Sequence, residues 1–112
     1  MTVRRIRKSA IAGSWYPGNP HTLRKEIERF FSRVPERDIG ADIVGIVAPH
    51  AGYDYSGQIA AHAYRQLKGM SFDAVIVIGP SHRSFFRGVS TYAAGAYETP
   101  FGVVPVDETL VL

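Results

Sequence analysis

Two short apolar runs constrain this chain more than anything else in it: residues 42–48 (DIVGIVA) and residues 73–78 (DAVIVI). Each is almost continuously apolar and rich in β-branched residues, the pattern of a strand buried on both faces. A helical stretch at about residues 57–67 lies between them, with Ile59, Ala60, Ala63, Tyr64 and Leu67 on its inward side, Ser56 as its cap and Gly69 as its stop. Strand, helix, strand in that order predicts a βαβ unit, with parallel strands joined by a right-handed crossover. The expected fold class is therefore α/β with a parallel βαβ core.

A second helix has clear ends. Asn19 stands where an N-cap belongs and Pro20 at the first helical position. Leu23, Ile27, Phe30, Phe31 and Val34 then recur on one face, Arg24, Lys25, Glu28 and Arg29 take the other, and Pro35 ends the run. Short β segments are predicted at residues 89–92 and 102–106. Asp107 reads as the cap of one further helical turn. Two both-face-buried strands with few helices to cover them imply a fold incomplete at its C-terminus. Residues 1–112 are expected to be the N-terminal portion of a single domain.

Composition removes several classes. The longest apolar runs fall far short of the ~18 residues of a membrane span. With no cysteine, the chain has neither a disulfide framework nor a thiolate zinc site. The net charge of +3 comes from an N-terminal arm of Arg4, Arg5, Arg7 and Lys8; from Ser9 onward 9 basic residues face 10 acidic ones. Nucleic acid binding needs a basic stripe along the fold, so neither nucleic acid nor membrane is an expected partner. Charged residues up to Lys8 are followed by no sustained apolar segment of the secretory kind. A cytoplasmic location is expected.

The chemistry gathers where the two predicted strands end. Ala48-Pro49-His50 and Gly79-Pro80-Ser81-His82 each place an imidazole in the loop after a strand, and ligands of open α/β sheets collect outside those carboxyl ends. If the strands are neighbours, at ~4.8 Å spacing, His50 and His82 converge on one point and can share a metal ion at ~2.0–2.1 Å. The alternative is that each histidine bonds locally within its own loop. His21 is expected to face solvent and His62 to be structural. Trp15, Tyr16, Tyr53 and Tyr55 are candidates for the walls of a pocket, or for core.

Two familiar motifs fail by a residue. Gly52-x4-Gly57 sits between strand and helix as a phosphate loop does, but Gln58 and Ile59 stand where Lys and Ser/Thr are needed. Gly79-Pro80-Ser81-His82-Arg83 begins as a nucleophile elbow but has Arg83 in place of the closing glycine.

Taken in order, Ala12-Gly13-Ser14-Trp15-Tyr16, Ala48-Pro49-His50-Ala51-Gly52-Tyr53 with Tyr55 and Gly57, Ala60-Ala61-His62-Ala63-Tyr64, Gly79-Pro80-Ser81-His82 and Tyr97-x-Thr99-Pro100 resemble the Memo family. The resemblance implies a fold like that of the class III extradiol dioxygenases, known as the LigB-like fold. It makes His50 and His82 metal-site residues and puts Trp15 and Tyr53 in or near the pocket, where Tyr16, Tyr55 and Ser81 are further candidates. It further implies iron or copper as cofactor and a small molecule or peptide as ligand. AMMECR-type and radical SAM proteins are the partners it suggests. A two-His-one-carboxylate site needs a third donor, and neither Asp54 nor Asp107 is supported by spacing. The remaining donors are expected from a C-terminal half or a second chain. The complete protein is expected to be a metal-dependent oxidoreductase and this piece inactive, the alternative being a binding module without turnover, with Arg83 and Arg87 beside the pocket loop.

Overall fold

The computed structural model describes residues 5–111, and the chain divides into two compact units. One runs from Ser9 to Met70; the other joins the residues up to Lys8 with those from Ser71 onward.

The Ser9–Met70 unit is built on helix α1 (Pro20–Ser32). Its start follows the sequence: Asn19 keeps an extended backbone (φ −80°, ψ 127°), and its Oδ1 accepts the Thr22 N–H at 3.1 Å. Proline at the first position gives up an N–H that would have had no partner there. Leu23, Phe30 and Val34 are buried, as the apolar period predicts. The helix closes when the Arg33 N–H bonds back to the Phe30 carbonyl at 3.2 Å.

Helix α2 (Gln58–Tyr64) packs against α1. It differs from expectation in two respects. A π-helical turn, Tyr53–Gly57, leads into it and a 3-10 turn, Arg65–Leu67, follows. No side chain caps it, because the Ser56 hydroxyl donates instead to the Ala51 carbonyl at 3.2 Å. The inward positions are the small ones: Gly57 and Ala61 are buried, while Ile59 and Tyr64 are exposed. Ala61 joins Phe30 and Val34 in the core, with Phe31 and Tyr53 packed against them.

The two predicted central strands are not strands here. No β-pairing is assigned to residues 42–48 or 73–78, and most of their apolar side chains face solvent: Val44 is 101% exposed, Val47 97% and Ile78 92%, with Ile43 and Ile46 half-buried. A parallel strand acquires its ladder and its cover only from neighbouring strands and from helices over both faces. Among the described residues nothing pairs with either run.

The second unit carries a three-stranded sheet in the order β1 (Ile6–Arg7), β2 (Ala96–Thr99), β3 (Gly102–Pro105). β1 runs parallel to β2, and β2 antiparallel to β3. The expected strand at 102–106 is present, whereas 89–92 forms none; its partner is 96–99, brought alongside by the turn at Pro100-Phe101. Thr99 holds that turn, donating its hydroxyl to the Gly102 carbonyl at 2.9 Å and accepting the Phe101 N–H at 3.2 Å. Gly95 enters β2 with φ +117°, and a β-carbon there would collide with the Arg5 carbonyl that accepts the Ala96 N–H. Asp107 caps α3 (Glu108–Val111), its Oδ1 accepting from the N–H groups of both Thr109 and Leu110 at 3.1 Å. The molecule is thus mixed α/β. Among the described residues no helix is long and apolar enough to cross a membrane.

Candidate ligand pocket

A cavity of about 410 Å³ opens in the Ser9–Met70 unit, within the ordinary range for a small-molecule site. Its base comes from the face of α1, through Ile27, Phe30 and Phe31. The sequence predicts this face as core, and part of it is cavity wall instead. The other walls carry Trp15, Tyr16, His50, Tyr53 and Tyr64. The candidates Trp15, Tyr16, Tyr53 and His50 are therefore brought together. Tyr64, read in the sequence only as an inward helix position, joins them.

Local chain geometry explains how. The Tyr53 N–H donates to the Trp15 carbonyl at 2.8 Å, tying the loop that carries His50 to the aromatic turn near the N-terminus. That turn is closed by the Gly13 N–H on the Tyr16 carbonyl (2.8 Å) and the Trp15 N–H on the Ile11 carbonyl (3.0 Å). The Tyr16 and Tyr53 rings stand 5.6 Å apart and tilted by 43°, and Tyr53 meets the edge of Phe30 at 6.1 Å. Burial pushes the Tyr53 phenol above its ordinary pKa, and the neighbouring Tyr16, Tyr64 and Glu26 add to the shift. Tyr53 therefore enters the cavity wall as a neutral phenol.

The other candidates are not among the residues of this cavity. Tyr55 is 88% exposed and lines no part of the cavity. Ser81 and His82 belong to the second unit and are exposed; the Ser81 hydroxyl donates to the Ser84 carbonyl at 2.6 Å, closing its own loop. That bond engages the proton a nucleophilic serine must give to a base, in line with the failed elbow motif. The glycine-flanked loop is likewise no phosphate cradle. The N–H groups of Tyr55 and Ser56 both bond to the Gly52 carbonyl, so they are turned inward. His62 is structural as expected, its Nδ1–H donating to the Gln58 carbonyl at 2.9 Å.

Among the described residues no group of three or more His, Asp or Glu side chains is placed to hold a metal ion. The donors present, His50 and His82, do not by themselves make a two-His-one-carboxylate site. What the cavity offers on its own is an aromatic-walled hollow with an imidazole and phenol hydroxyls at its margin.

Comparison with known proteins identifies the family. A family model described as Memo-like protein matches residues 7–112. A MEMO1 family protein of Methanopyrus kandleri is 40% identical over 109 residues, covering 90% of this chain and 38% of that protein. One from Methanothermobacter thermautotrophicus is 40% identical over 112 residues (94% and 40%), and one from Sulfurisphaera tokodaii 36% over 117 (96% and 41%). The chain thus spans between 38% and 41% of the length of these relatives. With nearly all its residues matched by the family model, the chain belongs to the Memo-like protein family.

Proposed function

We propose that the cavity beside His50 is one side of a metal-dependent redox site completed in the whole protein. His50 and His82 supply two imidazole ligands to iron or copper, and further donors come from the part of the family's length that this chain does not span. The observation that carries the reading is His50 on the wall of a hollow lined by Trp15, Tyr16 and Tyr53. Residues 42–48 and 73–78 are then the central parallel strands of a LigB-like α/β fold, which accounts for apolar side chains that stand exposed here. A metal held by His50 and His82 would supply oxidation chemistry. This chain's own residues bind and orient: the aromatic walls exclude water, and neutral Tyr53 presents a hydroxyl that donates or accepts without changing charge.

A second reading is favoured by the same walls. They are mostly aromatic and apolar, and the described residues hold no three-donor cluster. On that reading the pocket binds a peptide or small molecule without turnover. Oxygen consumption by the iron-loaded full-length protein with catechol-type substrates decides between the two. The oxidoreductase reading predicts uptake that disappears in His50→Ala and His82→Ala; no uptake by the wild type overturns it in favour of binding alone. Partnership with AMMECR-type and radical SAM proteins belongs to the first reading and is checked by co-purification.

A further inference from the structure

We draw no further inference here: the strongest candidate, the polar hollow beyond the C-terminal ends of α1 and α2 lined by Arg37, Arg65 and Lys68, carries nothing, because Glu36 and Asp38 on the same lining counter its cations and the unpartnered Arg65 Nε is buried rather than open to it.

Discussion

The ring of Phe30 occupies the space that a side chain at Gly57 would need. A β-carbon built on Gly57 would stand 2.7 Å from Phe30 Cε2 and 2.9 Å from Cζ, with Tyr53 Cβ at 3.3 Å. The backbone at Gly57 is ordinary helix (φ −58°, ψ −42°), so glycine is required by contact and not by conformation. Phe30 belongs to the core and also lines the cavity.

Gly57→Ala therefore sets two effects against each other. Helix propensity favours alanine by about 1 kcal/mol, whereas overpacking a filled site costs about 1–3 kcal/mol. The ring sits too close for a small adjustment, so overpacking wins. Urea unfolding is expected to show net destabilisation, partly relieved by Phe30→Leu in the same chain. A Gly57→Ala protein as stable as the wild type would show that α1 and α2 are not packed as described.

Asn19→Ala removes the side-chain acceptor of the Thr22 N–H. A loss of about 1 kcal/mol in unfolding free energy is expected, with Asn19→Asp retaining most of the stability. Equal stability of the alanine and wild-type chains would contradict the cap.

Tyr53 gives the Ser9–Met70 unit an alkaline limit. Its phenol is raised above the ordinary value by burial first, then by Tyr16, Tyr64 and Glu26. Below the unfolded-state pKa of about 10, folded and unfolded chains both hold the proton and stability is unaffected. Above it the unfolded chain releases the proton first, so stability falls as pH rises through the folded pKa. Tyrosinate absorbance should contain a late-titrating component that Tyr53→Phe removes, together with part of the alkaline loss of stability. A Tyr53→Phe variant with an unaltered titration curve would contradict this assignment.

Residues 42–48 and 73–78 present Val44, Val47, Val77 and Ile78 to solvent. Exposed apolar segments of β-propensity pair with whatever edge they meet. The 112-residue chain on its own is expected to self-associate in sedimentation experiments, and Val44→Lys with Val77→Lys to reduce that association. A monodisperse wild-type monomer would contradict the expectation.

The elements legible in the sequence are those whose causes are local. α1 is fixed by Asn19, Pro20 and the spacing of Leu23, Phe30 and Val34, and α3 by Asp107, all within a turn or two of the residues concerned. The strand Ala96–Thr99 and its turn at Pro100-Phe101 are not anticipated; a strand is expected at 89–92, where none forms. Residues 42–48 and 73–78 show the converse: their composition registers the burial a strand requires, but pairing depends on neighbours that the described residues do not provide. The cavity was half legible. Trp15, Tyr16, His50 and Tyr53 are marked by residue type, whereas Phe30 and Ile27 follow a helical period that looks the same whether it faces core or hollow.

The most direct test of the account is the metal content of the full-length protein after anaerobic loading with iron or copper, for the wild type and for His50→Ala with His82→Ala. The account predicts a stoichiometric ion in the wild type and none retained in the double variant. Unchanged metal content without the two imidazoles would contradict it.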